Sequence, residues 1–133
     1  MPDLLKSLQG RDLGHLRIIA ELWGIELAAP DVRTGLQRLL PAMLERQRVQ
    51  EVVASLPGEA RSALDELAHS DQNRLSWALF ARRFGIVREM GRGRRDRDRP
   101  WLSPVSPAEA LWYRGLAARA FFDTPAGPEE FAY

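Results

Sequence analysis

The sequence predicts a mainly α-helical protein in two parts. Residues 1–56 form a helical module, loosely a helix–extended–helix of the SAP type, and residues 57–133 form a winged-helix-like domain. That domain has three helices, a basic insertion at 86–105 and a C-terminal β-hairpin. Apolar residues recur at helical spacing in a series of runs, each bounded by a capping or breaking residue. The last three helical runs are followed by two aromatic-rich stretches about a Pro/Gly turn, which reads as a hairpin. Three helices and then a hairpin is the order of a winged helix.

Each element has its own justification. In "DLGHLRIIAELWG", Leu13, Leu16, Ile19, Ala20 and Trp23 share one helical face, with Asp12 as N-cap and Gly24 as stop. After the extended "IELAAP", Asp31 caps a second helix carrying Val32, Leu36, Leu39, Leu40 and Met43. Pro41 removes a backbone donor inside that run and predicts a kink or a division. A third helix near 46–55 buries Val49, Val52 and Val53 before Pro57. In "GEARSALDELAHS", Ala60, Ala63, Leu64 and Leu67 make a fourth amphipathic face. A polar "DQN" turn follows, and Leu75 fits a short strand. Ser76 caps a helix that buries Trp77, Phe80, Ala81 and Phe84 before Gly85. Ser106 and Pro107 are a favourable cap and first residue for the next helix, which buries Ala108, Leu111 and Trp112 and stops at Gly115. "RAFFDTPAGPEEFAY" supplies the hairpin, and the sequence stops inside its second strand, as a fragment of a longer protein would.

Composition narrows the function classes. With 45% hydrophobic and 28% charged residues, the 133-residue chain reads as an ordinary globular protein with a modest core. There is no cysteine, which excludes disulfides, thiol chemistry and cysteine-based metal sites. The N-terminus lacks the basic and apolar regions of a signal peptide, and no stretch is apolar enough for a membrane span. Cytoplasmic location without membrane contact is the expectation. The net charge of +1 conceals a segregation. Residues 74–99 hold nine arginines against three acids, and the rest holds ten basic and fifteen acidic residues.

Four stretches carry a family likeness: "LRIIAELWGIEL", "REMGRGRRDRDRPWLSP", "SPAEALWYRGL" and "RAFFDTPAGPEEFAY". Together they resemble the N-terminal region of an uncharacterised bacterial family described as helicase-associated, or XPB-helicase-like, whose members are several times longer. The likeness runs over most of the chain and implies an accessory module beside a larger protein. No phosphate-binding Gly-x-x-x-x-Gly-Lys-Ser/Thr loop and no acidic motor motif occurs, so the residues do not support ATPase activity.

Catalysis finds no constellation here. His15 and His69 lie on separate helices, with His15 off the apolar face of its own. Asp65 and Glu66 are adjacent, so they point about 100° apart on a helix and cannot face one another. No catalytic residue, metal site or cofactor is expected. "REMGRGRRDRDRPW" is the feature that asks for a function. Its six guanidiniums match phosphate oxygens and its two glycines let a polyanion approach, whereas Asp96 and Asp98 offer internal partners instead. The helix after the insertion would be the one that enters a DNA groove, and its outward positions are Glu109, Tyr113, Arg114 and Arg119. That set is thin for base readout, and the wing tip "TPAGPEE" is acidic. Trp23, Trp77 and Trp112 read as core, while Trp101 either anchors the insertion or stacks on a base. The expected nucleic-acid contacts are therefore Arg82, Arg83, Arg88, Arg92, Arg94, Arg95, Arg97, Arg99, Trp101 and Arg114. The partner is DNA or another nucleic acid, bound weakly and without sequence preference. The alternative is an interaction module for a protein or a further domain, with a salt-bridged basic segment.

Overall fold

The computed structural model describes residues 4–133. In the N-terminal half, α1 (Leu4–Leu8), α2 (Leu13–Trp23), α3 (Val32–Met43) and α4 (Arg46–Ala54) follow one another. Gly24 ends α2 in the left-handed region (φ 68°), where its N–H reaches back to Ala20 and Glu21 carbonyls. The Asp31 carboxylate accepts from the Thr34 N–H at 2.8 Å and caps α3. The apolar stripes of these helices meet in one cluster, with Leu8, Leu16, Ile19 and Leu39 fully buried beside Trp23, Met43 and Val52. Each such side chain withdrawn from water contributes roughly 1.5–3 kcal/mol before chain entropy is counted. Gly35 allows the close approach of α3 to α2, since a Cβ there would lie 3.3 Å from Leu16 and 3.4 Å from Leu13.

The second half contains α5 (Gly58–His69), β1 (Leu75–Ser76), α6 (Trp77–Phe84), α7 (Arg92–Asp98), α8 (Pro107–Tyr113), β2 (Arg119–Thr124) and β3 (Gly127–Ala132). Ser76 and Ser106 cap α6 and α8 through their hydroxyls, which accept from the Leu79 and Glu109 N–H groups. The strands form an antiparallel sheet in the order β1-β3-β2, with Phe121 opposite Glu130 and Thr124 opposite Gly127. Ala118 and Tyr133 exchange both backbone hydrogen bonds at 2.9 Å and prolong the ladder past β3. A second core gathers Leu56, Ala60, Leu67, Phe80, Leu111 and Ala132 between α5, α6, α8 and the sheet. With α7 set aside, helix–strand–helix–helix–strand–strand, with β1 on the β3 edge, is winged-helix order.

The two cores are stitched together. Leu116 packs against both, and Ile18 of α2 forms a third, smaller cluster with Trp101 and Tyr113. Trp23 Nε1 donates to the Arg114 carbonyl at 2.8 Å.

Several expectations are corrected. Pro41 neither divides nor ends α3, which runs unbroken to Met43. The proline stands in the exposed last turn, where one lost donor costs little. The five-residue α1 was too short to leave a periodic signal. Residues 86–105 are not simply a loop, because they contain α7 and a 3-10 turn over Pro100–Leu102. α8 ends at Tyr113, ahead of Gly115 (φ 69°), so Arg119 opens β2 and does not lie on the helix. Glu109 and Tyr113, expected to face outward, are 0% and 3% exposed. The N-terminal helices and the insertion pack over the side of α8 that an isolated winged helix would leave free.

Candidate functional site

The insertion leaves and rejoins the fold at two adjacent points. Gly85 (φ 91°) turns the chain out so close to Ser106 that a Cβ would collide with the serine side chain. Ser106 Oγ in turn donates to the Ile86 carbonyl at 2.6 Å. Beneath them the Glu109 carboxylate, fully buried, clamps both ends. It accepts from the Arg88 backbone N–H at 2.9 Å, from Arg88 Nη2 at 2.7 Å and from the Val105 N–H at 3.2 Å. Burial disfavours the charged form of Glu109, but the Arg88 guanidinium and the two backbone donors outweigh it. The pKa therefore lies below the ordinary glutamate value.

Further along, α7 docks on α2. Arg95 is 6% exposed, and its Nη1 and Nη2 meet the two Asp12 oxygens at 2.6 and 2.8 Å in a bidentate pair. Its Nε adds a bond to Asp96 at 3.2 Å. The Arg95 bonds hold the Asp12 pKa at about 2 against a partial desolvation cost. Gly14 makes room, since any Cβ there would strike the Arg95 guanidinium. Arg99 ends α7 in the left-handed region (φ 48°), and Pro100 cannot continue the helix. Trp101 then lies 9% exposed against Ile18 and Tyr113, with Nε1 donating to Glu21 at 3.1 Å.

The ten arginine and tryptophan positions singled out from sequence thus separate. Arg88 and Arg95 point inward onto carboxylates, and Trp101 is anchored. Arg83 pairs with Glu66, and Arg94 pairs with Asp98 at 3.2 Å on the surface of α7. Arg114 donates to the Ala110 carbonyl at 3.1 Å, and burial lowers its pKa. Arg82, Arg92, Arg97 and Arg99 are exposed, and no ion pair engages them among the described residues. Within the insertion, Ile86, Leu102 and Val105 expose 62%, 58% and 55% of their surface. The insertion therefore carries exposed apolar and cationic side chains as well as side chains fixed to the body.

Two residues at the centre of the junction went unread by sequence: Arg11 was not singled out, and His15, expected off the apolar face of its helix, is buried. Arg11, 7% exposed, donates to the Trp112 and Ala117 carbonyls at 2.8 Å each, and lies over the Trp112 ring. Burial lowers its pKa to about 10, with Tyr133 opposing part of the shift. His15, 5% exposed, sits against the Trp112 and Tyr113 rings and takes an Arg11 N–H at Nε2 over 3.2 Å. A guanidinium only donates, so this ring nitrogen accepts and the imidazole is neutral. Burial, then Arg11 and Arg95, push the His15 pKa down to about 3. The i,i+4 spacing of Arg11 and His15 was the available signal, but it gains meaning only once α8 is known to cover both. A cleft of about 450 Å³ opens beside them, between α1, α8, the insertion and the base of the hairpin.

No protein-family model, no curated protein and no solved structure matches the chain. Among the described residues, no group of three or more His, Asp or Glu is placed to hold a metal ion. No described helix is long and apolar enough to cross a membrane.

Proposed function

We propose that this chain is a non-catalytic interaction module, the accessory part of a larger helicase-associated protein, and that its insertion is the docking surface. One observation carries the reading. The insertion spends Arg88, Arg95 and Trp101 on Glu109, Asp12 and Glu21, while it leaves Ile86, Leu102 and Val105, and Arg92, Arg97 and Arg99, exposed. Exposed apolar side chains together with cations that no ion pair engages suit a protein surface that offers both apolar and acidic groups. The buried face of α8 argues in the same direction, since groove entry by Tyr113 or Glu109 would require the N-terminal helices to leave.

Affinity capture from the source cells should recover a partner that is lost with both Leu102→Glu/Val105→Glu and Arg92→Glu/Arg97→Glu/Arg99→Glu. A partner retained by both variants refutes the surface.

The second reading is weak, sequence-independent nucleic-acid contact, and the unpaired guanidiniums of Arg82, Arg92, Arg97 and Arg99 favour it. Its test is fluorescence anisotropy with labelled single- and double-stranded DNA at low salt. Binding that falls with added salt and with the arginine variant, but not with the Leu102/Val105 variant, supports nucleic acid over protein.

A further inference from the structure

The sheet has one closed edge and one open edge. Ala118 and Tyr133 exchange both backbone hydrogen bonds. By the alternation of an antiparallel ladder, Ala120 with Phe131 and Phe122 with Glu129 make the next exchanges. Arg119, Phe121 and Asp123 therefore turn their N–H and C=O groups away from β3, and β2 ends the strand order. Among the described residues no hydrogen bond engages those outward backbone groups. The opposite edge is closed by β1, which pairs with Phe131 and Ala132. Beyond β1, Pro128 turns outward a nitrogen that carries no hydrogen. β2 has neither a proline nor a bulge, the devices that ordinarily blunt an edge.

The side chains of that edge say what fits it. Arg119, Phe121 and Asp123 share one face of the strand, and Phe121 is 69% exposed and outside all three core clusters. A second copy of β2, laid antiparallel with Phe121 opposite Phe121, brings all three outward residues into hydrogen-bonded pairs. The same register sets Arg119 opposite Asp123 of the second copy at both ends, so charges that discourage an arbitrary strand are complementary to this one. A slip of two residues either way loses a bonded pair and the charge match, and a slip of one sets outward groups against inward ones. Arg119 already gives Nη2 to Glu130 at 2.8 Å and lies over the Trp77 ring. The charge match therefore selects the register, while the backbone bonds and the Phe121 contact supply the attraction. Glu89 approaches Arg119 Nη1 at 4.0 Å, but its side chain is 88% exposed and free to move aside. We propose that the chain self-associates through β2, so that the three-stranded sheets of two copies join about a twofold axis into one continuous sheet. This surface is separate from the insertion and does not depend on what the insertion binds.

The test is sedimentation velocity of the whole chain, paired with amide hydrogen exchange read by NMR. Concentrations from about 5 μM to about 500 μM span the dissociation constant of about 10–100 μM expected for an interface this small. As concentration rises, the Arg119, Phe121 and Asp123 amides should gain protection, while those of Ala120 and Phe122, which already bond β3, should change little. Phe121→Lys sets like charges face to face and should weaken the dimer at least about ten-fold. Asp123→Arg turns both end pairs into repulsions and should act in the same direction. Both positions are exposed, so each variant should keep the native thermal melt. The proposal is overturned by a chain that stays monomeric over this range, or by a dimer that survives either variant. It is overturned equally by a dimer whose Arg119, Phe121 and Asp123 amides exchange as fast as in the monomer, the result expected if copies met through the insertion.

Discussion

His15 makes the stability of this fold sensitive to mild acid. In the unfolded chain the imidazole titrates at 6.5, whereas in the folded protein burial and the Arg11 and Arg95 charges hold it at about 3. Above the unfolded value both states are neutral at this site and the packing of His15 against Trp112 and Tyr113 is fully available. Below it the unfolded chain binds a proton that the folded chain refuses, so stability is lost as pH falls from 6.5 toward 3. The slope approaches about 1.4 kcal/mol per pH unit, and integrating from about pH 7 to about pH 5 gives a loss of about 2 kcal/mol. That figure needs only a folded pKa well below 5. Asp12 does not contribute, since its own window lies between 3.8 and about 2. For a chain of this size the loss lowers Tm by roughly 6–10 °C. The assay is a pair of urea or thermal melts at the two pH values for the native chain and for His15→Gln, which keeps an acceptor for Arg11 but cannot titrate. The native chain should lose about 2 kcal/mol more than the variant over this interval. Parallel losses in the two proteins would refute the claim that His15 is held neutral.

Other perturbations separate structural from surface charge. Arg95→Met strands Asp12 beside a buried apolar site and should cost about 2–4 kcal/mol in urea unfolding. The equivalent change at Arg94, whose partner Asp98 is half exposed, should cost less than about 0.5 kcal/mol. Glu109→Ala leaves the Arg88 and Val105 N–H groups without their acceptor and should cost about 3 kcal/mol or more, with protease cleavage appearing first within 86–105. Gly115→Ala places a Cβ 3.2 Å from Ile19 and 3.3 Å from Leu8 and Met43 at a positive φ, and should lower stability by about 1–3 kcal/mol, read from the same melts.

The helices were legible because their information is local. Asp31, Ser76 and Ser106 each cap a run whose apolar spacing already announces it, and all three accept the expected bond in the structure. The hairpin was legible for the same reason, through alternation about "TPAG". What the sequence concealed was partnership across long separations. Arg95 and Asp12 stand 83 positions apart, and Trp101 and Glu21 stand 80 apart. Neither pair leaves a periodic trace. Asp12 in particular looks like an ordinary N-cap, yet its carboxylate makes no capping bond to α2 and turns to Arg95. The burial of Glu109 and Tyr113 was hidden likewise. A helix in isolation shows which face is apolar, not whether a second module will cover the other.

The insertion shows why composition misleads about charge. Six arginines in fourteen residues suggest a single positive field, but a field exists only where charges are uncompensated. The chain resolves the run by helical phase. Glycine and acidic residues alternate with arginine so that α7 turns Arg95 onto α2 and Arg94 back onto Asp98, while Arg92 and Arg97 point to solvent. Arg88 is drawn under the segment by Glu109 before α7 begins. The six arginines therefore divide by direction: Arg88 and Arg95 fix the insertion to the body, Arg94 pairs within α7, and Arg92, Arg97 and Arg99 face solvent. Removing Arg88 or Arg95 should loosen the fold, while removing Arg92, Arg97 or Arg99 should leave stability unchanged. An arginine run that acted as a simple polyanion arm would show neither distinction.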